Sequence, residues 1–204
     1  VFSSIDRQGP YAYANQPDII TWNMAQLATS LIPLMPEQDK AVTLFTEAVD
    51  AMPAMLQSQW QARFQAKLGL SSSHPGDHAL ITDLLTLMAN QGADFTNTFR
   101  ALANDKARDQ FTDPLAFDLW ATRWHKRLEN ELDATATMTA ANPAFIPRNH
   151  RIEQMIDAAV QGDGGPFHRL NRILARPYQD QPDASDLTHP PLENERVHAT
   201  FCGT

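Results

Sequence analysis

Residues 115–128, LAFDLWATRWHKRL, place Phe117, Trp120, Trp124 and Leu128 three and four positions apart. In a helix such steps fall on one face, so the segment reads as an amphipathic helix with its aromatic side turned to a core. Exposure of Trp120 and Trp124 as a stacking platform fits less well, because Leu128 continues the same stripe. Upstream, residues 77–102, DHALITDLLTLMANQGADFTNTFRAL, carry Leu80, Leu84, Leu87 and Met88 on one face, and Gly92 divides the run into two helices. Residues 37–70 repeat the pattern with Val42, Phe45, Val49, Met52, Leu56, Trp60 and Phe64. Pro53 is expected to kink or divide that run, and Gly69 with SSSHPG to end it. Ile20, Met24, Leu27 and Leu31 form the first helix, opened by Pro17 and Asp18 and stopped by Pro33 and Pro36. No segment alternates as a strand and no fixed-period repeat occurs. The fold class is mainly α.

After Leu132 the character changes. ATATMTAANPAFIPRNH (134–150) is small, polar and punctuated by proline, which predicts a connector of fixed geometry. A helix over 149–161, a GDGG turn and a short helix over 166–176 follow. The remainder is proline-rich and is expected to be mostly extended. The organisation is thus a leading loop (1–16), a helical body (17–133), and a helix pair with an extended tail (134–204).

The 204 residues, 43% hydrophobic and 20% charged, suit a folded domain with a core. A net charge of −8 and a pI near 5.2 argue against a phosphate-backbone binder, so no nucleic acid partner is expected. No apolar run has membrane-spanning length, and VFSSIDRQG lacks the order of a signal peptide, so no membrane partner is expected either. Cys202 is the one cysteine, which excludes an internal disulfide or a thiolate metal cluster and favours a reducing, cytoplasmic setting. A first residue of Val1 rather than Met suggests a processed or excised piece.

Several residues invite a chemical reading. His74 and His78 in HPGDH have the spacing of a helical metal site, yet Pro75-Gly76 between them breaks a helix, and a loop with two solvated histidines is the better reading. GDGGPF (162–167) places glycines ahead of a helix, but no strand precedes it and Asp163 would repel an anion, so it reads as a turn between helices. Arg169, Arg172 and Arg176 share one predicted helical face, where they can grip an anionic group or pair with carboxylates of an acidic surface; they are the candidate partner-binding residues. Cys202 is either an inert thiol or a candidate redox residue.

Two stretches carry a family signal: GPYAYANQPDIITWNMAQLATSLIPLM (9–35) and NPAFIPRNHRIEQMIDAAVQGDGGPFHRLNRILARPY (142–178). Together they resemble the selenoprotein O (SelO) family, pseudokinase-fold proteins that transfer AMP from ATP to Ser, Thr or Tyr hydroxyls of proteins. The resemblance implies that this chain is the C-terminal portion, the helical half of a protein-kinase-like large lobe plus a C-terminal helical extension. The catalytic, nucleotide-binding and metal-binding residues would then lie in an N-terminal kinase-like half that acts in cis, upstream of Val1. ATP and Mg²⁺ (or Mn²⁺) are implied for the whole protein and no cofactor for this chain, which on its own is expected to be inactive. Its contribution would be scaffold and a surface for selecting protein substrates, in the cytoplasm of a bacterium. Cys202 occupies the near-terminal position that is selenocysteine in some members. Relatives that place a second cysteine near the leading loop differ from this chain, where VFSSIDRQG has none. Gly164 stands where the family often has an aromatic residue. A separate reading makes the chain a helical protein-interaction module with no part in catalysis, motivated by Met52, Met55, Met88 and the arginine face.

Overall fold

The computed structural model describes Asp6, Gln8, Gly9 and residues 12–199. Cys202 lies outside the described residues, as do Tyr11 and most of VFSSIDRQG. The described residues are helical with no strand. The chain forms two compact units, residues 1–60 with 197–204 and residues 61–196.

In the first unit, consecutive turns lead into the first helix. Gly9, at φ +70°, donates from its backbone to Asp6 O, and its own carbonyl accepts from Ala12 N and from Asn15 Nδ2 at 2.9 Å. A 3-10 turn, Tyr13–Asn15, passes directly into α1 (Gln16–Leu31), with Pro17 and Asp18 in the first turn as the sequence predicts. Pro33 sits in a second 3-10 turn, Ile32–Leu34, that separates α1 from α2 (Gln38–Lys67). α1 buries none of its residues.

α2 runs 30 residues without division at Pro53. The proline removes one intrahelical bond, but it is exposed, so water can satisfy the freed carbonyl. The division between the two units falls within this helix.

The second unit holds the core. α3 (Asp77–Gln91) ends at Gly92, whose φ of +65° makes the left-handed cap. α4 (Phe95–Leu102) starts at Asp94, which accepts from Asn97 N, and α5 (Pro114–Leu128) starts at Asp113, which accepts from Leu115 N and Ala116 N. α3 and α5 pack together. Phe117, Trp120, Ala121 and Trp124 of α5 are buried, as are Leu80, Ile81, Leu84 and Met88 of α3. Both indoles are tied down: Trp120 Nε1 donates to Leu80 O and Trp124 Nε1 to Leu68 O, each at 2.9 Å. The stripe in 115–128 is therefore core, as its spacing predicts.

Residues 134–141, expected as part of a connector of fixed geometry, form α6 (Ala134–Ala141). Its threonines are weak helix formers, and a local cap and a tertiary contact outweigh them. Asp133 caps Ala136 N, and Met138 is buried against Gly69, where an added Cβ would lie 3.1 Å from Met138 Cγ and 3.0 Å from Ala134 Cβ. Gly69 also has a φ of +79°, so both conformation and space call for glycine there.

α7 (Asn149–Val160) and α8 (Gly165–Leu174) pack together, joined by the GDGG turn, in which Asp163 Oδ1 accepts from Gly165 N at 2.8 Å. Ala144, Phe145, Leu170, Ile173, Ala184 and Leu187 form their own buried cluster. The tail is more ordered than an extended segment, because Pro182–Thr188 and Glu193–Glu195 are 3-10 turns and Ala184 and Leu187 anchor the first of them.

Candidate functional site

The most enclosed charges of the second unit meet where the loop after α2 passes the end of α5. Asp77, the first residue of α3, has a side chain only 1% exposed. Arg127 Nε donates to Asp77 Oδ1 at 2.8 Å, and Arg127 Nη1 donates to Glu131 Oε1 at 2.8 Å. Arg127 Nη2 reaches Ser72 O at 2.7 Å. Gln65 Nε2 and His74 N complete Asp77 at 2.8 and 2.9 Å. Glu131 also accepts from Ser71 N and from the Ser71 and Ser72 hydroxyls.

Burial by itself would raise both carboxyl pKa values, but the hydrogen bonds win. For Asp77 the donors are Arg127, Gln65 and the His74 backbone, which hold it below the usual carboxylate range. For Glu131 they are Ser71, Arg127 and Ser72, which lower it to about 2. Both carboxylates are therefore ionised and fully engaged, and neither is free to act as a general base. The node instead pins residues 71–77 to α5.

Beside it opens a cleft of about 480 Å³ between the start of α3 and the last turns of α5, lined by His74, Leu80, Arg123, Lys126, Arg127 and Asn130 among others. His74 is exposed here and its Nδ1 accepts from Gly76 N at 3.1 Å, so the histidine of HPGDH organises its own loop. Among the described residues no group of three or more His, Cys, Asp or Glu is placed to hold a metal ion.

A second set of buried polar groups secures the NPAFIPRNH stretch. Asn142, fully buried, donates from Nδ2 to Lys67 O at 2.9 Å and accepts from Lys67 Nζ at 3.2 Å. Lys67 Nζ lies 5.7 and 5.6 Å from the ring centroids of Phe95 and Phe99, and burial lowers its pKa. Arg100 Nη1 donates to Thr139 O and Asn142 O. Arg148 grips Asp94 with two bonds of 2.7 and 2.9 Å. His150 is buried with Nε2 unbonded, and burial, with Arg151 and Arg148 nearby, keeps its pKa low against the pull of Glu195.

Of the three candidate arginines, one has a carboxylate partner among the described residues. Arg169 on α8 binds Asp186 through two bonds of 2.8 and 2.6 Å and so ties the tail to the helix. Arg172 is exposed on α8, and Arg176 lies beyond the C-cap Ala175. In the sequence, the i,i+4 spacing of Arg127 and Glu131 is the one legible sign of the node that joins them to Asp77. Asn142, Arg148 and His150 lie within the second family stretch, and their partners are distant in sequence.

This all-helical chain belongs to the SelO family: the pattern described as "Protein adenylyltransferase SelO" matches residues 1–175. Over its whole length it is 59% identical to the protein nucleotidyltransferase YdiU of Ruegeria pomeroyi and 54% identical to that of Ruegeria sp. strain TM1040. It is 49% identical to the protein of the same name in Bradyrhizobium diazoefficiens. The chain spans 43%, 43% and 44% of these three relatives, less than half of each. All are bacterial. Among the described residues no helix is long and apolar enough to cross a membrane.

Proposed function

We propose that this chain is the C-terminal helical portion of a SelO-type protein adenylyltransferase, which transfers AMP from ATP to Ser, Thr or Tyr hydroxyls of protein substrates in the bacterial cytoplasm. Within the whole protein its work is mechanical: it braces the kinase-like half that carries the nucleotide site, and it offers surface to protein substrates. The observation that carries this reading is α1. It belongs to a family whose relatives are more than twice as long, and it leaves Ile20, Trp22, Leu27 and Leu31 between 38% and 56% exposed. An apolar helix that buries none of its residues suits a piece whose packing partner is elsewhere in the protein.

The pairing of the enclosed carboxylates supports placing the Mg²⁺ and nucleotide sites outside this chain. Asp77, Asp94 and Glu131, the carboxylates enclosed in the second unit, are each held by an arginine. The reading of the chain as a free-standing interaction module has less surface to draw on, since Met88 is buried and Arg169 is engaged by Asp186.

Titration calorimetry with Mg-ATP tests the proposal. The chain alone is expected to give no saturable heat, while the full-length Ruegeria pomeroyi relative binds under the same conditions. Firm nucleotide binding by the chain alone overturns it.

A further inference from the structure

In the first part of α2 one face is left bare. Leu44, Ala48, Ala51, Met55 and Ser58 follow steps of four, three, four and three, so they line a single seam about 21 Å long. All five are exposed, Leu44 by 51% and Met55 by 63%. The adjoining face of the helix, with Phe45, Val49, Met52 and Leu56, is half-buried, so the seam is not the side on which α2 packs within this chain. Alternating steps of four and three are the spacing with which one helix lies along another. The two alanines make a shallow saddle that lets a second backbone come close, with a large apolar side chain on either side of it. The charge along this stretch is unbalanced. Residues 37–60 hold four carboxylates, Glu37, Asp39, Glu47 and Asp50, against one base, Lys40, which lies 4.0 Å from Glu37. Glu47 and Asp50 are exposed and have no ion pair among the described residues, and the next base in the chain, Arg63, comes beyond the seam. The first unit as a whole repeats the imbalance, with six acidic residues and two basic ones.

We propose that this face of α2 docks an amphipathic helix of a partner protein, apolar where it meets the seam and basic along its flank. Two physical terms choose that occupant. Leu44 and Met55 offer hydrocarbon contact, and the thioether of Met55 adapts to the shape opposite. Glu47 and Asp50, unpaired, favour lysine or arginine beside the seam and disfavour an acidic partner. The same carboxylates count against a second copy of this chain, because two seams paired about Ala48 and Ala51 would bring Glu47 and Asp50 of both copies together. The docking stands apart from the function proposed above, since it needs no nucleotide.

Fluorescence anisotropy with two fluorescein-labelled helical peptides, titrated with this chain at low salt and without nucleotide, is the test. Both peptides run about three heptads with leucine at the four-three positions; one has lysine at the flanking positions and the other glutamate, so like charge keeps each from pairing with itself. The lysine peptide is expected to bind saturably, and more weakly as salt rises, while the glutamate peptide does not bind. Glu47→Lys with Asp50→Lys is expected to exchange the two: the lysine peptide weakens at least about tenfold and the glutamate peptide now binds. Glu153→Lys with Asp157→Lys, the same charge change on the exposed side of α7, is expected to leave both affinities unchanged. Ala51→Glu, in the middle of the seam, is expected to abolish binding of the lysine peptide although it adds a negative charge. All five positions are exposed, so the variants are expected to keep the urea midpoint, read by far-UV circular dichroism. Absent binding of the lysine peptide, equal loss in the α7 variant, no gain by the glutamate peptide, or undiminished binding in Ala51→Glu overturns the proposal. So does a chain that sediments as a dimer and becomes a monomer in Ala51→Glu, which would make a second copy of the chain the occupant. Because no nucleotide is present, failure here leaves the Mg-ATP result standing, and the reverse also holds.

Discussion

Leu27 of α1 and Trp124 of α5 both sit on stripes of apolar residues at three- and four-residue steps, yet Leu27 is 49% exposed and Trp124 is 2% exposed. The local code is the same in α1 and α5; what differs is what the chain brings to meet it. α5 meets α3 and the end of α2, and its indole nitrogens reach backbone carbonyls there. α1 has capping and turn chemistry, with Pro17, Asp18 and the Gly9 turns, but no buried face. Periodicity therefore specifies a helix and its sticky side without saying whether the partner lies in the same stretch of chain.

The sharpest way to break this contrast is Trp124→Ala. It removes a buried indole, its ring contact with Trp120 at 5.5 Å, and the donor to Leu68 O. A loss of about 3–5 kcal/mol is expected, measured as a drop in the urea midpoint. A loss below about 1 kcal/mol would mean that α5 does not hold the second unit together.

Arg127→Met comes next. It strands Asp77 and Glu131, whose side chains are 1% and 2% exposed, without a counter-charge. About 3 kcal/mol is the expected cost. Adding Asp77→Asn and Glu131→Gln to that variant is expected to recover much of it, because the penalty comes from uncompensated burial rather than from the pair itself. If the triple variant is no better than the single one, the node stabilises through its hydrogen-bond geometry.

Acid then separates two groups by sign. The folded pKa of His150 lies below its ordinary 6.5, so its stabilising contribution is complete above that value and declines as the unfolded chain takes up a proton at lower pH. Glu131 is lowered from 4.5 to about 2, so its contribution is complete above 4.5 and is lost as pH falls through about 2. Urea midpoints against pH are expected to show the His150 decline first and the Glu131 decline later. His150→Gln should flatten the first limb alone, and Glu131→Gln the second.

The parts that the sequence disclosed are those governed by local rules. Gly92 as a helix stop, Pro17 as a start and the aromatic stripe of 115–128 all follow from backbone conformation or helical spacing. What escaped it was set by distant partners. α6 holds because Met138 finds Gly69, a neighbour 69 positions away. Pro53 leaves α2 undivided because its face is wet. Asp77 looks like any acidic helix start until Arg127, 50 residues on, closes over it. The same holds for the family stretches, where Asn142 and Arg148 stand out only once Lys67 and Asp94 are seen beneath them.

The smallest effect is the most informative about α1. Trp22→Ala changes an exposed residue on a helix with no buried position, so a shift within about 0.5 kcal/mol is expected. The backbone amides of α1 should also exchange with solvent far faster than those of α5, since little packing resists local opening there. A large loss would mean that the indole is covered in solution, and protein concentration distinguishes how. If the cost grows with concentration, two copies of the chain meet through their apolar α1 faces, as an uncovered patch of this kind invites. If the cost does not change with concentration, the indole is covered within the chain itself.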